Sequence, residues 1–359
     1  MNVIIRVDAS DRIGTGNLMR CLTLAEALRA KGTAVHFFCR QLPGALIGLL
    51  KQRKFPITVL PAPTKSDGFS GSDGYASWVG VSQREDADQV IARLDGKKAN
   101  WLVVDHYGLD IEWENRLAPF VDAIMVIDDI ANRSHNCRLL LDQNFSSEER
   151  YQHLVPRNCT MLLGPSFALL GPEYSAYRNR QSKRPSAIKR VLVYFGGSDT
   201  RNMSDIAMQA LSSSRLQHLL VDLVIGPNNP HQAILRQTYT SRPSTCIYEA
   251  QVHLADLMAQ ADLAIGGGGA TTWERMCLGL PSLVVTCAAN QVPLAKSLHR
   301  ENLIWLIGDA TCVTVADIYE AVVSQLSGQH RDRAAITARQ ICDGSGTLRV
   351  VKALECTRV

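Results

Sequence analysis

Ala261-Asp262-Leu263-Ala264-Ile265-Gly266-Gly267-Gly268-Gly269-Ala270-Thr271-Thr272-Trp273-Glu274 reads as a strand, a run of four glycines and the start of a helix. The strand is expected to end at Ile265 and the helix to open near Thr271. Glycines let a backbone approach a diphosphate closely, and a helix start presents unpaired N–H groups at the positive end of its dipole. Thr271 and Thr272 can cap that helix or add hydroxyl donors. Glu274 stands one turn further on, where a carboxylate can accept hydrogen bonds from two ribose hydroxyls. The plain alternative is a turn closed by a capping box between Thr271 and Glu274. Four glycines exceed what such a turn needs.

Upstream, Val191-Leu192-Val193-Tyr194-Phe195-Gly196-Gly197-Ser198-Asp199-Thr200 repeats the strand–glycine–helix design. Further out, short apolar runs alternate with longer helical patterns along the whole chain: Val3–Val7, Val35–Cys39, Trp101–Asp105, Ala123–Ile127 and Leu139–Leu141, then Val191–Phe195, Val221–Ile225, Leu263–Ile265, Ser282–Thr286 and Leu303–Leu306. Near-continuous apolar strands separated by helices indicate parallel sheets covered on both faces. The expected fold class is therefore α/β, with two Rossmann-like, doubly wound parallel-sheet domains. The polar, proline-containing stretch Asn179–Ala187 marks the boundary, giving an N-terminal domain at residues 1–180 and a C-terminal one at 188–359. A Gly-, Ser-, Asp- and Pro-rich loop from Pro61 to Gly80 reads as a surface excursion, either a lid or a plain flexible loop.

The first half carries a third glycine turn, Gly14-Thr15-Gly16-Asn17-Leu18-Met19-Arg20, in which Met19 replaces the last glycine of a dinucleotide fingerprint. That disfavours NAD, and no Gly-Lys-Ser/Thr follows any glycine run to make a P-loop. The nine histidines form no HxxxH pair, and Asp86 and Asp88, two apart on a helix, diverge. Neither a metal nor a cofactor is expected.

At 359 residues, 46% hydrophobic and 20% charged, the chain has material for two cores. A net charge of +4, spread apart from a basic run between Arg178 and Arg190, argues against a nucleic-acid partner. The start of the chain lacks a signal-peptide pattern, and no run of about 18 apolar residues occurs. A cytoplasmic protein with no membrane partner is expected, with its ten scattered cysteines reduced.

Taken in order, a set of short motifs resembles the UDP-sugar hydrolases of pseudaminic acid synthesis, which are similar to GT-B glycosyltransferases. They are Arg6-Val7-Asp8-Ala9-Ser10 with the Gly14–Arg20 turn, Trp78-Val79-Gly80-Val81-Ser82-Gln83, Val104-Asp105-His106-Tyr107-Gly108, Ile127-Asp128-Asp129-Ile130 and Leu141-Asp142-Gln143-Asn144. Gly171-Pro172-Glu173-Tyr174, Gly196-Gly197-Ser198-Asp199, the glycine run to Glu274, and Ala289-Asn290-Gln291 complete the set. The resemblance implies a GT-B-like pair of domains with an interdomain cleft. It implies a UDP-linked 2,4-diacetamido-2,4,6-trideoxy hexose of the altrose type as substrate, cut by water at the anomeric carbon with inversion and without metal. By the same resemblance, Gly197, Ser198, Gly268, Gly269, Ala270 and Thr271 contact the diphosphate, Glu274 the ribose, and Tyr107 lies near the sugar. Asn290 matches a functional asparagine, with Gln291 beside it.

UDP leaves readily, so backbone N–H groups that steady the diphosphate and one base to activate water would suffice. In the resembled hydrolases that base is the histidine of a Gly-x-Gly-His turn; here the position is Asn17, after Gly16. An amide holds a water but cannot take up its proton. Three readings stay open: an inactivating, substrate-trapping substitution; a natural variant using another base, His106 or Asp11; or a relative that only binds. Other residues keep two readings each. Asp8 and Ser10 bind ligand or cap a turn, and Arg20 reaches phosphate or faces solvent. Asp128 and Asp129 bind sugar hydroxyls or make caps and ion pairs; Tyr107 lines the site or plugs the core; Asn290 and Gln291 bind ligand or cap a helix. Rival functions are a glycosyltransferase and a UDP-sugar binding module. A monomer is expected, since two domains complete a clamp in one chain.

Overall fold

The computed structural model describes residues 1–63, 74–94, 96, 98–180, 187–249, 254–326 and 331–357. Half of the Pro61–Gly80 loop and most of the Asn179–Ala187 boundary lie outside them. The chain divides into two units, Met1–Leu169 with Gly346–Val359, and Leu170–Ser345.

In the first unit the strands are β1 (Asn2–Val7), β2 (Ala34–Arg40), β3 (Ile57–Leu60), β4 (Ala99–Asp105), β5 (Val121–Ile127), β6 (Leu139–Asp142) and β7 (Thr160–Leu163). They form one parallel sheet in the order β3-β2-β1-β4-β5-β6-β7. Alternate side chains go to opposite faces. Val3, Ile5, Trp101 and Val103 join a core with Leu18, Leu24 and Leu28 of α1 (Gly16–Ala30). Ile4, Leu102 and Val104 pack on the other face. The helices α2 (Ile47–Gln52), α3 (Gln83–Ile91) and α4 (Ile111–Leu117) follow, with Ala87, Val90 and Trp113 in that second core.

The second unit holds α5 (Pro172–Arg180), β8 (Arg190–Tyr194), α6 (Met203–Leu211), β9 (Leu220–Ile225), α7 (Gln232–Tyr239), β10 (Thr245–Glu249) and α8 (Leu254–Gln260). It continues with β11 (Leu263–Gly267), α9 (Thr271–Cys277), β12 (Ser282–Thr286), α10 (Val292–Arg300), β13 (Trp305–Asp309), α11 (Val315–Leu326) and α12 (Arg331–Ile341). Its parallel sheet runs β10-β9-β8-β11-β12-β13. In both sheets the order reverses beside the first strand, between β1 and β4 and between β8 and β11. Doubly wound sheets place ligands at the carboxyl ends of the strands flanking such a reversal.

The contact division differs from the sequence boundary at both ends. The segment from Leu170, with α5, belongs to the second unit. The last helix, α13 (Gly346–Cys356), belongs to the first. Val350, Val351 and Leu354 enter the α1 core, and Trp101 Nε1 donates to the Leu354 carbonyl at 3.1 Å. Apolar periodicity shows that α13 has a buried face but not which sheet it covers.

Three strands escape the apolar-run reading, β3, β7 and β10. All three are sheet edges, β3 and β7 of the first sheet and β10 of the second, and all are short and partly exposed, with no more than three apolar residues in a row. Strand β11 extends to Gly267, so two of the four glycines are strand residues. A Cβ on Gly266 would lie 2.3 Å from the Tyr194 carbonyl oxygen, so that glycine serves the close approach of β8. Cys21, Cys39, Cys137, Cys277 and Cys342 are buried thiols, whereas Cys246, Cys312 and Cys356 are exposed. Among the described residues no helix is long and apolar enough to cross a membrane, and no cluster of His, Cys, Asp or Glu is placed to hold a metal ion.

Candidate functional site

In the second unit, two loops follow the strands at the reversal. After β8, Gly196 turns with φ +90°, and β9 closes on it: a Cβ on Gly226 would lie 2.2 Å from the Gly196 carbonyl oxygen. Gly197 is buried, and its carbonyl accepts from Asn228 N–H at 2.9 Å. Ser198 Oγ is buried without a partner among the described residues. The start of α6 is not open to an anion, because the Asp199 carboxylate already accepts from Met203 N–H at 2.8 Å and Ser204 N–H at 3.0 Å.

The helix after β11 is different. Its N-cap is Ala270, with no side-chain cap, and Thr271 and Glu274 form no capping box. The N–H groups of Gly269, Ala270 and Thr271 take no partner among the described residues. Gly268 N–H, expected at the diphosphate, instead donates to Gln291 Oε1 at 3.2 Å, which also accepts from Cys287 N–H at 2.9 Å. Gln291 thus ties the glycine run to the loop after β12 rather than capping α10, whose N-cap position it occupies without a side-chain bond. Asn290 is exposed on the short 3-10 turn Ala289–Gln291. Arg275 braces the run from inside, donating to the Gly267 carbonyl at 2.8 Å and to Thr272 Oγ1 at 3.2 Å.

Glu274 lies beneath this loop. Burial pushes its carboxyl up to about 7, against the opposing pull of the Tyr174 hydroxyl and Arg275. Its Oε2 is buried and has no partner among the described residues. A buried acceptor without a donor costs about 1–3 kcal/mol, which hydroxyl donors of a ligand would offset. Tyr174 explains the Gly171–Tyr174 motif and was not singled out by sequence alone.

The first unit gathers its candidates differently. Gly16 opens α1, whose N-cap Thr15 makes no side-chain bond, so Asn17 sits in the first turn and is half-buried. Asn17 Nδ2 donates to Asp105 Oδ1 at 2.9 Å, at the carboxyl end of β4. Arg20 neither faces solvent nor stands free for phosphate. Its Nε and Nη2 grip both Asp105 oxygens at 2.7 Å, and Nη1 reaches Asp129 Oδ2 at 2.9 Å. Asp129 Oδ1 in turn accepts from the Tyr107 hydroxyl at 2.6 Å. Burial and Asp129 hold that phenol well above its ordinary pKa. Tyr107 also packs against Tyr75 and Trp78, with ring centroids 5.3 and 5.7 Å away.

Below this chain lies an ionic core. Asp8 accepts from Arg6 Nη1 and from the Arg40 backbone N–H, both at 2.6 Å, so its carboxylate is structural on that side. Asp86 holds Arg6 and Arg40 at 2.7 and 2.6 Å, and these cations keep its carboxyl low against the upward push of burial. Ser10 Oγ caps the following turn through Ile13 N–H at 2.9 Å. Asp128 is likewise structural, accepting from Ala131 N–H at 2.9 Å and pairing with Arg133 at 2.9 Å. Of the two alternative bases, His106 is 2% exposed, and its Nδ1 accepts from Gly108 N–H at 3.0 Å. That leaves Nε2 as the protonated nitrogen, 3.4 Å from Asp8 Oδ2, and burial lowers the imidazole to about 4. It has no free lone pair for water. Asp11 is exposed, beside Pro43.

No family model matches the sequence. The chain is similar to the spore coat polysaccharide biosynthesis protein SpsG of Bacillus subtilis, 23% identical over 99% of this chain and 98% of that protein. It is also similar to the UDP-2,4-diacetamido-2,4,6-trideoxy-beta-L-altropyranose hydrolase of Campylobacter jejuni, 24% identical over 84% of this chain and 97% of that enzyme. Among solved structures, MurG of Acinetobacter baumannii matches 99% of both chains with a TM-score of 0.63 at 16% identity. The chain has the GT-B fold. Two parallel-sheet α/β units of seven and six strands are its constituents.

The structure brings Asn17, Arg20 and Tyr107 into one hydrogen-bonded chain, and sets Gly268, Gly269, Ala270, Thr271, Glu274 and Gln291 around one loop. Sequence reasoning missed the two carboxylates that link the first group, Asp105 and Asp129, as a pair. The signal for them was available only as acids at the ends of adjacent parallel strands.

Proposed function

We propose that this chain binds a UDP-sugar through its second unit and hydrolyses it to free sugar and UDP, the sugar being a 2,4-diacetamido-2,4,6-trideoxy hexose. One observation carries the nucleotide half of this reading: among the described residues, the buried Oε2 of Glu274 has no donor, beneath a loop whose N–H groups at Gly269, Ala270 and Thr271 are unpaired. A ribose diol and a diphosphate supply the matching donors and acceptors. The similarity to the Campylobacter hydrolase supports water as the acceptor and the diacetamido sugar as the group released.

In this reading the backbone N–H groups steady the charge that grows on the departing diphosphate. Asn17 holds the attacking water by its side-chain oxygen. It takes up no proton, so the attacking water loses its proton to solvent, and the chain turns over slowly compared with a form carrying a base there. Tyr107 lies near the sugar.

The test is incubation with UDP-2,4-diacetamido-2,4,6-trideoxy-altropyranose and no acceptor, following UDP and the anomeric configuration of the free sugar. Release of the inverted sugar supports the reading. Turnover only after adding an acceptor makes the chain a glycosyltransferase, and tight binding without turnover in any form, Asn17→His included, makes it a binding module.

A further inference from the structure

We propose that Asp105 is a positioning residue for the reacting water, acting through Asn17, with Arg20 as the clamp that holds Asp105 in place. This rests on the hydrolase reading for its purpose, but its geometry stands apart. A carboxylate only accepts hydrogen bonds, so the 2.9 Å contact with Asp105 Oδ1 fixes the Asn17 amide with its NH2 inward. Asn17 Oδ1 is then turned outward; it has no protein donor among the described residues and is not a buried atom.

Asp105 cannot rotate away. Arg20 binds both of its oxygens at 2.7 Å in a two-pronged fork, and Cys21 Sγ adds a contact at 3.4 Å. The same Arg20 reaches Asp129 and, through it, the Tyr107 hydroxyl. Residue 17 and Tyr107, read from the sequence as separate candidates, are therefore the two ends of one chain: Asn17, Asp105, Arg20, Asp129, Tyr107. The groups facing Asp105 from its neighbours are thus Asn17, Arg20 and Cys21 from α1, and Asp129 beyond Arg20. An imidazole at position 17 would meet the same carboxylate through a ring N–H, leaving its other nitrogen outward as a base.

The test uses Asn17→His with and without Asp105→Asn in the full chain. The titration of the introduced imidazole is read by NMR, its signal identified by absence from the unaltered protein. Next to Asp105 its pKa should lie about one unit or more above that in the double variant. Equal titrations would overturn the proposal whether or not any UDP-sugar is turned over. Loss of hydrolysis in all forms with the pKa difference intact would instead overturn only the hydrolase reading. In the active Asn17→His form, Asp105→Asn should lower kcat about 100-fold with KM within about twofold; a rise in KM alone counts against it. Should Asp105→Asn not fold, the unaltered chain still decides. The Asn17 side-chain amide protons, assigned by their loss in Asn17→Ala, should exchange with solvent at least about 10-fold more slowly than free amides, and exchange at the free rate overturns the proposal.

Discussion

The two units carry the same sheet reversal but surround it with different polar groups. At the end of β1 and β4, carboxylates and guanidinium groups pair densely: Arg6, Arg40 and Asp86 are fully buried and Arg20 spans two acids, while Asp8 Oδ2, Arg40 Nε and His106 Nε2 take no hydrogen-bond partner among the described residues. At the end of β8 and β11, Glu274 Oε2 and Ser198 Oγ are buried without partners among the described residues, and the start of α9 has no side-chain cap. The first arrangement fixes side chains in advance of any ligand; the second stores unsatisfied hydrogen-bonding capacity. Within the second unit the contrast recurs at smaller scale. Asp199 supplies the negative charge at α6 that α9 lacks, so only one of the two glycine loops keeps a free helix start.

The sharpest way to separate the units is through Asn17. Asn17→His should raise UDP release by about 10²–10⁴-fold, the usual contribution of a positioned base; equal rates in a UDP-release assay would remove this position from the mechanism. Next in size, Asp86→Ala leaves two buried guanidinium groups without their shared partner and should cost about 3–5 kcal/mol. Urea denaturation followed by hydrogen exchange in β1 and β2 reads it. A loss below about 1 kcal/mol would show that water reaches this core.

The pH response should differ between the units. Burial raises the Glu274 carboxyl from 4.5 to about 7, so its contribution is complete below pH 4.5 and is lost as pH rises through 7. Burial would lower His135, but its contacts with Asp128 at 3.8 Å and Glu114 at 2.6 Å prevail and raise it from 6.5 to about 9. That contribution is complete below pH 6.5 and is lost as pH rises through 9. Each amounts to about 3 kcal/mol. Hydrogen exchange should show the second unit loosening at lower pH than the first, with Glu274→Gln and His135→Gln each abolishing its own step. Should both steps move together in either variant, the units are not separate in stability.

The smallest effect has opposite signs in binding and folding. Glu274→Gln should weaken UDP binding about 10-fold at pH 8 by calorimetry, because an amide oxygen accepts less strongly than a carboxylate. The same change should leave stability at pH 8 equal or higher, since a buried charge is removed. Unchanged UDP affinity would take the ribose away from Glu274.

Much of the architecture was written locally. Val, Ile and Leu runs marked the central strands, and the Gly266–Gly269 run with Thr271 located the open helix start, because strand burial and glycine turns depend on a few neighbouring residues. The edge strands β3, β7 and β10 were hidden because each is short and partly exposed, so its two or three consecutive apolar residues do not stand out from those of a helix or loop. Asp8, Arg20 and Asp128 were each found as candidates, but their two readings could not be separated. For two of them a deciding partner lies far away in the chain: Asp8 meets the Arg40 N–H across 32 positions and Arg20 meets Asp129 across 109, whereas Asp128 is held by Ala131 and Arg133, three and five residues on.

The sequence by itself determined two parallel α/β sheets and a glycine loop able to approach an anion, since both follow from period, residue shape and backbone freedom. Only the tertiary structure decided that α13 returns to the first unit, that Asp199 closes α6, and that Asp105 holds Asn17. The Asp199 cap joins residues only four and five apart, but the return of α13 and the Asp105–Asn17 contact depend on strand order: β4 pairs with β1, which brings Asp105 within 2.9 Å of Asn17, 88 positions away. Strand order is chosen by the packing of the whole unit and is invisible in any short window of residues.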